Sequence, residues 1–280
     1  MRGPELAQQA WVQALRESAH RPPRQARLPF GSGDEVLGSV EAGLFDGLDT
    51  ASLAAAGVRL VAQVFGAQAG WALQPGPQGL SVALNALAAA LRALGRCGPW
   101  RHEQLGVRNA LGVRVATVER GAVRVLGLAT EAVHLVAYAP DGRMWVQQRA
   151  FDKPNDPGLW DTLMGGMVSA DDTLEQALAR ETWEEAGLRP EQLQGLAHGG
   201  HVDFRRPSSE AGGAGYMVER IDWFRCTVPE GLAPDNQDGE VERFELMTRE
   251  HLLAGLAQGR FTLEASLIAL ASLDAESLRA

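Results

Sequence analysis

Three glutamates and an arginine crowd the end of one predicted helix in the second half of the chain. Within residues 166–188, Arg180 and Glu181 are followed two residues later by Glu184 and Glu185. Carboxylates at the carboxyl end of a helix repel one another and are disfavoured by the helix dipole, so a cation must compensate them. Arg180 can pair with Glu184 at the i, i+4 spacing, but one guanidinium cannot neutralise three carboxylates. Since oxygen ligands favour Mg2+ or Mn2+, the spacing predicts a divalent-metal site.

The helix that carries these groups has signals at both ends. Asp172 is predicted to cap its start, with Glu175 as the capping-box partner, and Gly187 is the usual left-handed stop. We therefore expect a helix over residues 173–186, whose inward stripe begins with leucines and ends in Glu181 and Glu185. A solvated acidic helix end is the alternative explanation for an acidic motif of this kind taken alone.

Composition sets the class of protein. The 280 residues include 45% hydrophobic residues, enough for two domains with buried cores. The net charge of −9 argues against a nucleic-acid or membrane-surface binder. The two cysteines, Cys97 and Cys226, are far apart and form no CxxC pair, which excludes a zinc ribbon and fits a reducing cytoplasm. Residues 1–30 contain neither a signal peptide nor a membrane span, so we expect a cytoplasmic protein.

The first half of the chain is predicted to be a packed α+β region without catalytic residues. Its tryptophans, Trp71 and Trp100, are expected in the core, with substrate stacking as the alternative. The predicted elements are a helix over residues 5–18, a linker over residues 20–29, strands over residues 36–40 and 58–65, a short helix around Leu44, a long helix over residues 80–94 and a strand over residues 100–107.

The second half is predicted to place the acidic helix on a sheet. His198 and His201 have no third ligand beside them, and we assign them no metal. Residues 208–215 are expected to form a loop. The predicted elements are strands over residues 123–129, 132–140, 143–150, 200–204 and 216–228, a turn over residues 140–142, and helices over residues 249–258 and 263–273.

The full pattern around the acidic helix resembles the Nudix box. Gly166, five residues, an acid, seven residues, Arg-Glu, two residues, Glu-Glu, one residue, Gly and an aliphatic residue form a long pattern of fixed spacing. Asp172 stands where the family has glutamate, and Thr182 where it usually has an aliphatic residue. The resemblance implies an α/β (α+β) fold, a Nudix αβα sandwich with a smaller amino-terminal α+β domain. We place the domains at residues 1–121 and 122–280.

Three further stretches resemble one Nudix subfamily, related to the amino-terminal half of fungal thiamine pyrophosphokinase. They are QQRAFDKPNDPGLWDTLMGG over residues 147–166, WRHEQLGV over residues 100–107 and DGEVE over residues 238–242. Leu105 replaces a tyrosine that is common in the subfamily. The likeness therefore spans most of the chain.

This resemblance implies hydrolysis of an organic diphosphate with Mg2+ or Mn2+ as cofactor. Bound metal would bridge the phosphate oxygens and lower the pKa of bound water. The implied metal ligands are Glu181, Glu184, Glu185 and the Gly166 carbonyl, whereas Asp172, a methylene shorter than glutamate, is expected to serve mainly as the N-cap. Glu181 doubles as the candidate general base and Arg180 orients the carboxylates. Glu240, or as second choice Glu242 on the same face of a strand, is expected to add an acid from outside the box.

Arg149, Lys153 and Trp100 are the candidate substrate-binding residues, the first two through phosphate. Thiamine diphosphate, or its oxidised forms oxythiamine and oxothiamine diphosphate, is the leading substrate, with the monophosphate as product. The alternatives are an ADP-ribose or NADH pyrophosphatase, an isopentenyl-diphosphate isomerase, which would need a reactive cysteine, and a non-catalytic ligand sensor. The partner is a small-molecule organic diphosphate; the amino-terminal domain selects its organic end or, alternatively, stabilises the hydrolase or forms a homodimer.

Overall fold

A computed structural model describes residues 8–277, with side chains through residue 274. The amino-terminal helix α1 spans Ala10–Ala19. Its predicted beginning at Glu5 lies outside the described residues. Within them, no helix combines the length and apolar content that a membrane crossing needs.

A seven-stranded sheet organises the second half of the chain. Its main path runs β11-β12-β7-β8-β13, while β10 pairs with β7 and β9 with β8. Strands β12 and β7 are parallel, and the other pairs are antiparallel. The strands are β7 Ala129–Tyr138, β8 Met144–Arg149, β9 Trp160–Asp161, β10 Met164–Met167, β11 Gln194–Pro207, β12 Tyr216–Thr227 and β13 Val241–Met247.

Helices cover both faces of this sheet and make it an αβα sandwich, which confirms the predicted fold class. Helix α5, Leu174–Ala186, packs on one face through Ala177 and Leu178. Helices α6, Arg249–Ala257, and α7, Leu263–Ser277, cover the other face. Helix α1 joins the second layer through Val12, so the beginning of the described chain packs on the carboxyl-terminal half.

The first half has a core of its own, which extends from Phe30 to Leu128. It contains a four-stranded sheet in the order β2-β1-β4-β3 and a separate β5-β6 hairpin. The elements are β1 Arg27–Ser32, β2 Glu35–Glu41, α2 Thr50–Ala55, β3 Arg59–Phe65, β4 Gln68–Gln74, α3 Leu80–Ala93, β5 Gln104–Arg108, β6 Arg114–Glu119 and the single turn α4 Arg120–Val123.

The β5-β6 hairpin contacts the loop that leads into helix α5. Gln104 O accepts a hydrogen bond from Ala170 N at 2.8 Å, and Leu105 forms an isolated bridge with Ser169. Arg114 donates to Ala170 O. The two halves are therefore joined directly at the predicted box, whereas the division at residues 121 and 122 stays a prediction.

Several predicted elements are wrong in instructive ways. Val123 ends the short helix α4 and residues 124–127 are turns rather than a strand, because a continuous buried apolar run has no period that distinguishes a helix from a strand. Strand β1 begins at Arg27, inside the predicted linker, and strand β4 was not predicted. Leu44 lies in turns, with the helix at residues 50–55 instead. The strand predicted from Trp100 begins only at Gln104.

Candidate functional site

The start of helix α5 is capped by Thr173 and not by Asp172. Thr173 Oγ1 accepts from Gln176 N at 3.2 Å, and Gln176 Oε1 accepts from Thr173 N at 2.8 Å. The predicted capping pair, Asp172 and Glu175, is thus displaced by one residue, because Thr173 has the extended backbone that an N-cap requires. Gly187 ends the helix with φ of 63°, as predicted.

Arg180 lies at the centre of a group of carboxylates. Its Nε donates to Asp172 Oδ2 at 2.9 Å. Its Nη1 donates to Glu181 Oε1 at 2.8 Å and to Glu184 Oε2 at 3.1 Å, which confirms the predicted i, i+4 pair. A further bond from Nη2 to Met167 O at 3.3 Å links the helix to strand β10. Arg180 therefore fixes the carboxylates of the helix and of the preceding loop together.

Glu185 is a buried carboxylate, with 2% of its side chain exposed. Its Oε2 accepts from Gln147 Nε2 at 2.8 Å and from Gly165 N at 3.0 Å. Lys153 Nζ lies 3.8 Å from Oε1. Burial nonetheless raises the pKa of Glu185 to about 8, against the opposing effects of Lys153, Gly165 and Gln147. Additional positive charge would favour its ionised form.

Glu181 lies against the backbone of Gly166. A Cβ atom at Gly166 would overlap the Glu181 carboxyl group, so the close approach requires glycine. Burial raises the pKa of Glu181, and the negative charges of Glu184 and Glu103 add to this effect while Arg180 opposes it. Glu103 belongs to the first half of the chain, so that half also contributes charge beside the site.

Glu240 reaches the site through Lys153. The Lys153 ammonium donates to Glu240 Oε2. Burial would raise the pKa of Glu240, but the bond and the charge of Lys153 lower it. The prediction that Glu240 and Glu242 alternate on one regular strand is wrong. Strand β13 begins only at Val241 and has an irregularity between Val241 and Arg243, and Glu242 is exposed.

A buried polar network behind strand β10 was not predicted from the sequence. His134 Nδ1 lies 2.8 Å from Thr162 Oγ1, and Asp161 Oδ1 accepts from Thr162 N at 2.8 Å. Arg149 Nη1 lies 3.4 Å from Asp161 Oδ2. Burial lowers the pKa of His134, which keeps the ring neutral under the backbone of Gly165. The sequence offered one signal for the buried contacts of Glu185, the two glutamines near the end of strand β8, because Gln147 donates a hydrogen bond to Glu185.

The other aromatic and histidine candidates have partners other than the carboxylates of helix α5. The Trp100 ring carries the Arg92 guanidinium over its face at 4.5 Å. Trp71 packs edge-on against Phe45, with ring centroids 5.6 Å apart, at the core of the first half. His198 pairs with Asp222 at 2.8 Å, a structural contact rather than a metal set.

The donor set fits a hard divalent cation, although the described residues contain no group of three or more His, Cys, Asp or Glu side chains arranged to hold one. The cationic groups of Arg180 and Lys153 contact the carboxylates instead. Every donor is oxygen, which suits Mg2+ or Mn2+. In addition, Gln147 Oε1 is buried without a hydrogen-bond donor beside Glu185. The residues that would hold the ion are Glu181, Glu184, Glu185, Glu240 and the Gly166 carbonyl, and their assignment stays a prediction.

Residues 129–267 match the NUDIX domain model. Nudix hydrolase 20, a chloroplastic protein of Arabidopsis thaliana, is 29% identical over 136 residues, which cover 47% of this chain and 35% of the relative. Isopentenyl-diphosphate Delta-isomerase of Streptomyces coelicolor is 31% identical over 102 residues, covering 36% of this chain and 50% of the relative. The solved structure of DR0079 from Deinococcus radiodurans superposes with a TM-score of 0.47 at 22% identity, covering 61% of this chain and 98% of that one.

Residues 129–267 of the chain are therefore a domain of the Nudix family. The domain begins with strand β7 and extends into helix α7. The chain spans from 35% to 53% of the length of the first curated relatives that it matches.

Proposed function

We propose that the chain is a divalent-metal-dependent hydrolase of organic diphosphates. The observation that carries this proposal is the buried Glu185 carboxylate, which lies beside Glu181 and within 3.8 Å of the Lys153 ammonium. Buried acids with raised pKa values beside a cationic group are typical of catalytic sites. The family match supplies the reaction class.

Bound metal would supply positive charge for the diphosphate and a water molecule of lowered pKa. The protein residues have separate roles. Arg180 positions Glu181 and Glu184 through its two Nη1 contacts. Glu181 is the candidate base that accepts a proton from the attacking water. Lys153 and Arg149 are the candidate phosphate-binding cations at the end of strand β8.

Thiamine diphosphate, or one of its oxidised forms, is the proposed substrate, and the monophosphate and inorganic phosphate are the proposed products. Resemblance to the subfamily related to fungal thiamine pyrophosphokinase, in residues 147–166, 100–107 and 238–242, supports this choice. Trp100 already carries a flat cation, the Arg92 guanidinium, on its face, as it would carry a thiazolium ring. The Trp71 ring instead packs edge-on against the buried Phe45.

A panel of organic diphosphates tests the proposal. The purified chain with Mg2+ should convert thiamine-type diphosphates to monophosphates faster than ADP-ribose, with products identified by chromatography. Trp100→Ala should lower kcat/KM for thiamine-type substrates more than for ADP-ribose, whereas Trp71→Ala should lower stability alone. If Trp100→Ala lowers kcat/KM equally for both substrates, the first half does not select the substrate. It would then serve to stabilise the hydrolase or to form a homodimer. Faster hydrolysis of ADP-ribose would reject the proposed substrate.

An isomerase is the second candidate, because the Streptomyces coelicolor relative has that activity in its name. Isomerisation would require a reactive cysteine that transfers a proton. Burial raises the pKa of Cys97 to about 11 and of Cys226 to about 12, so neither thiol ionises readily. Both thiols are free, which also supports the proposed cytoplasmic location. The raised pKa values of the two thiols therefore favour hydrolysis over isomerisation.

A further inference from the structure

We propose that Lys153 is an exchangeable counter-ion of the carboxylate site. Its ammonium holds Glu185 and Glu240 until a divalent cation replaces it, and the released ammonium then binds the diphosphate of the substrate. The inference rests on the proposed function for its second step only. The exchange itself is a property of the free protein.

The ammonium bridges two separate elements. Lys153 Nζ contacts Glu240 Oε2, just before strand β13, and lies 3.8 Å from Glu185 Oε1 on helix α5. Its side chain is 15% exposed, while that of Glu240 is 52% exposed. The ammonium thus closes the space between a buried carboxylate and a solvated one, where a metal ion would otherwise enter.

Lys153 is held less firmly than the other cation of the site. Arg180 makes bonds of 2.8 to 3.1 Å to three carboxylates and a longer one to Met167 O. Lys153 has one close partner, the half-exposed Glu240, and its second contact is 3.8 Å long. Because Lys153 has fewer carboxylate contacts to lose, a divalent cation displaces it at a lower cost than Arg180.

The loop around Lys153 keeps the displaced ammonium near the site. Arg149 N donates to Leu159 O at 2.9 Å, and Gly158 N donates to Arg149 O at 3.2 Å. Gln148 Nε2 donates to Gly158 O at 2.9 Å. Because these bonds fix the base of the loop, release changes the side-chain direction of Lys153 and leaves its backbone beside the carboxylates.

The residue type also suits exchange. Lys153 is the one lysine in the sequence, among 26 basic residues. An ammonium is a compact charge on a flexible stem, whereas a guanidinium forms directed paired bonds to a carboxylate. The flexible ammonium of Lys153 is therefore present where Glu185 and Glu240 must be held and then released to the metal.

The single lysine makes the exchange directly measurable. The full chain is treated with an amine-acylating reagent at constant pH, with and without Mg2+, and modification of Lys153 is followed by mass spectrometry against a lysine-containing reference peptide. The exchange predicts that Mg2+ raises the labelling rate of Lys153 about three- to fivefold, since an ion pair of this exposure contributes at most roughly 1 kcal/mol, which is about a fivefold change. Glu240→Gln should give fast labelling without Mg2+. A rate that Mg2+ leaves unchanged or lowers would overturn the proposal.

Metal affinity gives the reciprocal measurement, because linked equilibria have equal effects in both directions. Calorimetric titration with Mn2+ should show about fivefold tighter binding to Lys153→Met than to the natural chain, the size of one partly exposed ion pair. Lys153→Arg, which keeps a cation, should not gain affinity. Equal or weaker Mn2+ binding by Lys153→Met contradicts the exchange.

Neither measurement contains a diphosphate. If the chain hydrolyses diphosphates but the metal does not displace Lys153, this inference alone is overturned. Exchange in a chain that hydrolyses none of them would instead remove the proposed function and the second step.

Discussion

Arg180 Nε lies 2.9 Å from Asp172 Oδ2, and this pair ties the body of helix α5 to the residue just before its cap. The cap itself is Thr173, so the carboxylate of Asp172 is free to serve Arg180. Arg180 also holds Glu181 and Glu184, and the acid at position 172 therefore acts on the candidate metal ligands through the guanidinium.

Asp172→Asn should weaken this arrangement while leaving the cap intact. Asn keeps the size of the side chain but loses the charge that Arg180 contacts, so we expect the free energy of unfolding to fall by about 1 kcal/mol in urea titration. Asp171→Asn, one residue earlier and exposed, is the matched control and should change stability by less than about 0.5 kcal/mol. Equal effects in the two variants would mean that the Arg180 contact is not stabilising.

Gly166→Ala should disturb the site without an added charge. The new methyl group overlaps the Glu181 carboxyl, and a displaced candidate base should reduce kcat at least about 100-fold. Gly106→Ala in strand β5 is the control, because its methyl group meets only the flexible side chain of Arg114 at 3.3 Å. Near-normal kcat in Gly166→Ala would show that the position of Glu181 does not matter to the chemistry.

The stability of the metal-free chain should depend on Glu185 and pH. Its folded pKa of about 8 exceeds the ordinary glutamate pKa of 4.5, so the folded state binds more protons between these values. Stability contributed by this group is therefore full below about pH 4.5 and falls as pH rises towards 8, by up to about 1.4 kcal/mol per pH unit. Glu185→Gln should remove this part of the pH dependence in chelator-treated protein. Parallel stability curves for the two proteins would contradict the raised pKa.

Metal binding should require the paired glutamates at the end of helix α5. Calorimetric titration with Mn2+ is expected to detect binding by the natural chain and a large loss in the Glu184→Gln, Glu185→Gln double variant. Glu175→Gln, on the exposed first turn of the same helix, should bind Mn2+ as the natural chain does. Undiminished binding by the double variant would place the metal elsewhere.

Local signals in the sequence predicted the elements that are defined locally. The period of helices α3 and α5 and the apolar runs on either side of the β7-β8 turn are of this kind. Strand β1 was missed because its proline and the preceding arginines are typical of a linker, although the segment pairs with β2, the next strand in sequence, and at two positions with β4. The acids of helix α5 were identifiable from spacing. The contacts of His134 with Thr162 and of Gln147 with Glu185 were not, since each joins residues that are distant in sequence and meet only in the folded chain.

The central claim is that the buried Glu185 and its neighbours use a divalent cation to hydrolyse a diphosphate. Phosphorus NMR of thiamine diphosphate incubated with the natural chain and Mg2+ tests it most directly, with chelator-treated protein and Glu185→Gln as comparisons. The account predicts conversion to the monophosphate with Mg2+, and a loss of at least about 100-fold both in the chelator and in a folded Glu185→Gln variant. Hydrolysis at equal rates in all three samples would contradict it.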